Sequence, residues 1–316
     1  MRWTRLLVAI LCLLCAGTTQ AQSWQPPSAQ QRCPSAWGGT DERGAANRMT
    51  PETVLRATRL IRTGEVIELG RVLAPDMPFT GGRQFSLYTK RTNGPLGTNK
   101  RYSNEELVVT ELGQVGTQLD TFSHQGIDGL FYNCVKIDEV ATRNGFSKLG
   151  IDKIGALITR GVLVDIAGSK GVESLPVDHE ITVAEIEAAL AREGVTLEAG
   201  DAVLFHTGWG KLWGTDNVKY ATSSPGIGVA AAEWLAKQSV MLLGADTGPV
   251  EILPNPDKRV DLPVHQIALV VNGIFLLENL RLDQLASQRV YEFALIIEPL
   301  KIRGGTGSTV APIAIR

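Results

Sequence analysis

The chain has 316 residues, a formal net charge of −2, 44% hydrophobic residues and 20% charged residues. That length suits one large domain or two small ones, and the apolar share suits a globular protein. With no basic excess and no Lys/Arg cluster, the composition argues against nucleic acid as a partner. Residues 1–21 read as a signal peptide: Arg2 and Arg5 supply a positive start, residues 6–16 an apolar run, and Thr19-Gln20-Ala21 small residues for cleavage. The run is too short to span a bilayer comfortably. The mature chain is therefore expected to be periplasmic or secreted, mildly acidic and free of the membrane. Cys12 and Cys15 leave with the signal, while Cys33 and Cys134 remain. An oxidising compartment permits a bridge between them, and a buried free Cys134 is the equal alternative.

Residues 22–36, rich in Gln, Pro and Ser, read as a flexible lead-in. The glycines and Asn47 of residues 37–47 mark tight turns, with Trp37 as an anchor and Asp41 and Glu42 as structural residues. Thr50-Pro51-Glu52 predicts a helix start, with an N-cap Thr, Pro at the first helical position and an acid in the first turn. A strand is expected over 66–72. Residues 75–100 read as a long irregular loop over a binding site, where Phe79, Phe85 and Tyr88 are candidates to meet a substrate ring. Strands follow at 106–110, 162–166, 202–206, 240–244 and 291–299, and helices at 182–193 and 230–237. Apolar strands at 265–271 and 274–277, joined by Asn272-Gly273, read as a hairpin. Gly304-Gly305-Thr306-Gly307-Ser308 reads as a turn. The order predicts one mixed α/β domain over residues 37–316.

Residues 114–124 are the chemical centre of the sequence. On an extended chain Gln114, Gln118, Asp120 and His124 share one face, where a half-buried strand ought to be apolar. Four aligned polar groups cost free energy unless a metal, a substrate or a network satisfies them. Gly116-Thr117-Gln118-Leu119-Asp120 with His124 resembles the core motif of the "putative cyclase" family, which includes bacterial kynurenine formamidases and isatin hydrolases. Its usual form is His-x-Gly-Thr-His-x-Asp-x-Pro-x-His. Here Gln114 and Gln118 replace two histidines, and Ser123 stands near the usual proline. Thr207-Gly208-Trp209, Gly244-Ala245-Asp246-Thr247, His265 through Glu278-Asn279-Leu280, and Gly305-Thr306-Gly307-Ser308 are also similar to family segments.

The resemblance implies a swivelling β/β/α cyclase-like fold with a mixed sheet and a small barrel-like core. It also implies that Asp120, His265 and Glu278 bind a divalent metal ion and that His124 is a general acid/base. Gln114 and Gln118 can offer such an ion only neutral carbonyl oxygens. An oxygen-rich set of this kind favours Mn2+ over Zn2+ and one ion over two. The expected activity is hydrolysis of an amide, either a cyclic amide or an aryl formamide, or of a lactone. An ion that polarises the carbonyl and activates water would drive it. Phe85, Tyr88, Phe131 and Trp209 are expected to line a ring-accepting pocket for this small-molecule substrate. The resemblance further suggests a homo-oligomer. The alternative is an inactive cyclase-fold protein that binds a small aromatic or amide ligand. Of the remaining histidines, His179 is expected to be exposed and His206 to be a satisfied core residue.

Overall fold

A computed structural model describes residues 23–91 and 94–316; the signal peptide expected over 1–21 lies outside them. The body is a nine-stranded mixed sheet that curls into a half-barrel. We label its strands and one outlying hairpin β1 (Val66–Glu68), β2 (Phe85–Arg91), β3 (Asn104–Thr110), β4 (Gln118–Asp120), β5 (Leu157–Asp165), β6 (Ala202–His206), β7 (Leu242–Ala245), β8 (Phe275–Glu278), β9 (Glu292–Ile297), β10 (Gly307–Thr309) and β11 (Ile313–Ile315). The sheet order is β1-β11-β9-β5-β6-β7-β8-β4-β10. The pairs β5–β6, β6–β7 and β7–β8 are parallel, and every other pair in the sheet is antiparallel. The central strands β7 and β8 are buried at every residue. That is why their sequences are continuous apolar runs rather than alternations.

Helices α1 (Pro51–Thr58), α2 (Val183–Glu193) and α3 (Val229–Lys237) cover the sheet. The Thr50 side chain caps α1, and Thr182 with Glu185 forms a capping box on α2. Among the described residues, no helix is long and apolar enough to cross a membrane.

Several local expectations change. The first strand stops at Glu68 instead of running to 72. Residues 75–100 are not wholly irregular: β2 pairs with β3 in a projecting hairpin. Most of its side chains on both faces are exposed, so the one-sided apolar alternation that would reveal a strand is missing. The hairpin expected at Asn272-Gly273 is instead a helix end. Helix α4 (Pro263–His265) continues as a π-helical segment, Gln266–Asn272, and Gly273 closes it at φ +60°. Its residues 267–270 are buried, and an apolar run buried on all sides carries no period that separates helix from strand. A side chain at Gly273 would strike Tyr132 and the backbone of Gly44. Gly307 and Ser308 belong to the edge strand β10, not to a turn.

Residues 23–36, expected as a flexible lead-in, are tied to the body. Trp24 Nε1 donates to Glu233 at 3.2 Å, Ser35 N–H donates to Asn133 at 2.8 Å, and Cys33 is disulfide-bonded to Cys134. Asp41 and Glu42 are structural. Asp41 accepts from Tyr132 Oη and from the backbone of Gly44, and Glu42 from Leu149 N–H.

Candidate metal centre

Asp120 ends β4 and Glu278 ends β8, and these strands are antiparallel neighbours with Glu278 opposite Gln118. Strand pairing thus joins two carboxylates 158 residues apart in the sequence. Only Gln118–Asp120 is extended; Gln114 and His124 lie in the turns on either side of this strand and fold back beside it. Gln114 Nε2 donates to Asp120 Oδ1 at 2.8 Å, and Gln118 Nε2 donates to Glu278 Oε2 at 3.0 Å. Each amide satisfies one oxygen of its carboxylate. The other oxygens, Asp120 Oδ2 and Glu278 Oε1, are buried with no hydrogen-bond partner. His265 Nε2 stands 3.3 Å from Glu278 Oε1 and 3.9 Å from Asp120 Oδ2. His124 Nε2 is also 3.9 Å from Asp120 Oδ2. Ligand atoms of Asp120, His124 and His265 all lie within 4.8 Å of one another.

The two imidazoles differ in what faces Nδ1. His265 Nδ1 lies 2.6 Å from Glu251 Oε1, and Glu251 also accepts from the N–H groups of Val264 and His265 at the start of α4. A carboxylate only accepts, so the proton sits on Nδ1, and Nε2 can offer its lone pair to an ion. His124 Nδ1 lies 3.2 Å from Gln114 Nε2. Gln114 cannot turn its oxygen there without setting it against Asp120 Oδ1. In neutral His124, Nδ1 therefore accepts and Nε2 carries the proton.

Electrostatics follow from burial. Burial and the neighbouring Asp120 charge push Glu278 up to about 7. Burial works against the His265 imidazolium, but its contacts with Glu251 and Glu278 outweigh that and hold it well above the ordinary histidine value, so without an ion Nε2 carries a proton that a cation would have to displace to reach the lone pair. Burial draws His124 below its ordinary value, against the pull of Asp120, with His265 and Arg83 adding to the lowering.

The centre opens onto a cavity of about 200 Å³ whose walls include Phe79, Arg83, Pro249, Leu253 and Leu262. Phe79 therefore meets the cavity as expected from sequence. The four residues assigned to a ring-accepting pocket do not line it. Phe85 is buried with Met77 and Val115 beneath the hairpin, and Tyr88 projects from it, 58% exposed. Phe131 packs edge-on against Phe146 in the core, and Trp209 is buried beneath the Lys219 ammonium. Phe85, Phe131 and Trp209 stabilise the body rather than the site, and Tyr88 faces solvent. Gln114 and Gln118 are adjacent to the centre as expected, yet they present N–H groups to the carboxylates rather than carbonyl oxygens to an ion. His206 is paired with Asp165 at 2.6 Å, outside the cavity, and His179 is half-buried against Glu185.

Sequence reading missed Glu251. Its one signal is an acid between Val250 and Ile252, since a charge inside an apolar run must be paired if it is buried. It missed Arg83 as well, because a single cation in a polar loop carries no pattern.

Such a half-barrel, with two carboxylates and two imidazoles gathered around the antiparallel pair β4–β8 beside a cavity, defines an α/β protein whose buried donor set could hold a cation. The family described as "Putative cyclase" matches residues 67–251. The chain is similar to the solved structure of a novel cyclase, with 31% identity, coverage of 89% of this chain and 98% of that chain, and a TM-score of 0.82. Isatin hydrolase A from Ralstonia solanacearum shares the fold at 23% identity, over 85% of this chain and 98% of that one, with a TM-score of 0.58. So does a predicted metal-dependent hydrolase from Bacillus stearothermophilus at 19% identity, over 79% and 97%, with a TM-score of 0.52. None of the curated proteins compared with the chain matches it. The chain belongs to the "Putative cyclase" family.

Proposed function

We propose that this protein is a divalent-metal-dependent hydrolase of a small amide, either a cyclic amide or an aryl formamide, or of a lactone. The observation that carries the reading is the pair of buried carboxylate oxygens, Asp120 Oδ2 and Glu278 Oε1, left without hydrogen-bond partners and both facing His265 Nε2. Two unpaired buried acceptors next to each other cost several kcal/mol, roughly, unless a cation satisfies them. Two carboxylate oxygens and one imidazole suit Mn2+ before Zn2+. The neighbours described as isatin hydrolase and as a metal-dependent hydrolase support the reaction class.

Asp120, Glu278 and His265 would hold the ion, which when bound supplies Lewis-acid polarisation of a carbonyl and a lowered pKa for attacking water. Glu251 fixes the His265 tautomer and ring orientation. His124 presents Nε2–H to the cavity and donates it to the oxygen that gains charge as the carbonyl is attacked. The resemblance alone gives His124 an acid/base role. Full transfer from its imidazolium form would need a second proton at Nδ1, where a Gln114 N–H already points. Phe79, Leu253 and Leu262 supply an apolar wall for the substrate body.

An extracellular or periplasmic location and a homo-oligomeric state belong to the same proposal; the Cys33–Cys134 bridge supports the first, since disulfides persist in oxidising compartments. The test is elemental analysis of purified protein, then assay of N-formyl anilides, cyclic imides and lactones before and after chelation. The expected result is one equivalent of divalent metal and turnover that chelation removes and Mn2+ restores. Protein that binds no divalent ion would refute the reading. Saturable ligand stabilisation without turnover would replace it with a binding function, the alternative reading of the two glutamine replacements.

A further inference from the structure

A second cavity, of about 300 Å³, lies at the other end of the same strands. Its walls include Ser239 and Val240 before β7 and Asn272 and Ile274 before β8. Glu278 ends β8, so the strand's length, about 13 Å, separates this cavity from the metal centre. The two cavities share no lining residue.

Two guanidinium groups line it, Arg32 and Arg48, and no carboxylate does. Arg32 is only 9% exposed. Its Nη2 donates to Ile127 O at 3.4 Å, while its Nε and Nη1 are buried without any partner. Arg48 lies over the Trp37 ring at 5.4 Å, and its Nε is likewise buried and unpartnered. Among the described residues neither forms an ion pair, and three of their nitrogens find no hydrogen-bond partner. Arginine does not escape such a site by losing its proton, and an unpaired buried charge is among the costliest features a fold can carry. The acids nearby do not meet it. Asp41 is engaged by Tyr132, Asn47 and backbone N–H groups, and Asp128 influences Arg32 through its charge without forming an ion pair. Residues 1–22 contain no Asp or Glu, so that stretch has no carboxylate to offer. Cys33, next to Arg32, is bonded to Cys134, which holds the arm carrying this charge against the body.

We propose that this cavity is an anion-binding site for a small organic oxyanion, a carboxylate or a phosphate monoester, held by Arg32 and Arg48. The guanidinium fork matches such planar or tetrahedral oxyanions. The cavity is roomier than a bare ion needs, and Trp37, Tyr132, Val271 and Ile274 give the ligand body an apolar wall.

The test uses the full mature chain with isothermal titration at fixed ionic strength. The probes are benzoate, phenyl phosphate and inorganic phosphate, with chloride as the control. Saturable binding of benzoate or phenyl phosphate is expected, with at least tenfold weaker binding in Arg32→Gln and in Arg48→Gln, and unchanged metal content and turnover in both. Benzoate tighter than phenyl phosphate assigns the site to carboxylates, and the reverse order assigns it to phosphate monoesters. Arg48 is the less buried of the two, so its variant keeps the test decisive if Arg32→Gln fails to fold. No binding above the chloride control, or binding that both variants retain in full, would overturn the proposal. Because metal content is read separately, failure here leaves the hydrolase reading standing, and the reverse also holds.

Discussion

Replacing Glu251 by Gln tests whether His265 is a metal ligand without touching any atom that would meet the ion. Glu251 is fully buried and accepts three bonds, from Val264 N–H at 3.1 Å, His265 N–H at 2.9 Å and His265 Nδ1 at 2.6 Å. Glutamine keeps one oxygen. If that oxygen stays at the His265 side, the new NH2 group faces the Val264 N–H, and a buried donor is left unsatisfied, at a cost of about 1–3 kcal/mol in folding stability. The bond to Nδ1 survives but is no longer charge-assisted, so it is roughly half as strong. The imidazole becomes a poorer and less firmly aimed ligand. Loss of such an outer partner typically weakens metal binding by about 10–100-fold, equivalent to about 1.4–2.7 kcal/mol. Competition titration against a chromophoric chelator measures the affinity, and urea unfolding of the same sample shows that the variant is folded. A folded Glu251→Gln protein with wild-type Mn2+ and Zn2+ affinity would refute the assignment of His265.

His124→Gln should retain its metal and lose about 100–1,000-fold in kcat; a wild-type pH–rate profile with a limb that disappears in this variant would restore a proton-transfer role. Gln114→His combined with Gln118→His should raise metal content from one equivalent toward two, read by elemental analysis. Burial opposes the charged form of His206, but its hydrogen bond to Asp165 and the nearby Asp283 carboxylate outweigh that and raise it to about 10. Since its folded value lies above the unfolded one, it contributes stability in full below about pH 6.5 and loses it as pH rises through about 10. Thermal melts between pH 6 and 10.5 should show a fall worth a few kcal/mol, roughly, that His206→Gln flattens. Removing the Cys33–Cys134 bridge, which spans 101 residues, should lower unfolding stability by about 2–5 kcal/mol in denaturant titrations.

What could be read from the sequence was set by whether a physical constraint leaves a local pattern. Helix α2 is legible because Thr182 and Glu185 form a capping box before an apolar stripe. Strand β6 is legible as a short apolar run ending in His206. The segment 265–272 is not, because a helix buried on every side looks like a central strand. The β2–β3 hairpin escaped for the opposite reason: with both faces exposed, nothing selects alternation. In the site, Asp120, His265 and Glu278 were recoverable through family resemblance. Proximity of the three comes from the pairing of β4 with β8 and from helix α4, neither of which spacing reveals. The aromatic assignment failed because a large ring is as useful in a core as in a pocket, and Phe131, Tyr132 and Trp209 serve the core.

The glutamines explain how this site differs from the form the family motif describes. An imidazole at position 114 or 118 could offer a lone pair to a cation and would add no hydrogen-bond donor toward it. A primary amide next to a carboxylate does the reverse: it donates, as Gln114 does to Asp120 and Gln118 does to Glu278. Each donation occupies one carboxylate oxygen and leaves one free. Two free oxygens and His265 Nε2 give three protein donors, which with water would complete the shell of a single ion and would leave none for a second, given that divalent ions take at least four. The same Gln114 amide also fixes the proton of His124 on Nε2. A single replacement therefore reaches two groups at once, holding Asp120 in place for an ion and setting His124 as a hydrogen-bond donor. The sequence departure that argues against a two-metal centre is thus the same feature that would organise the one-metal centre proposed.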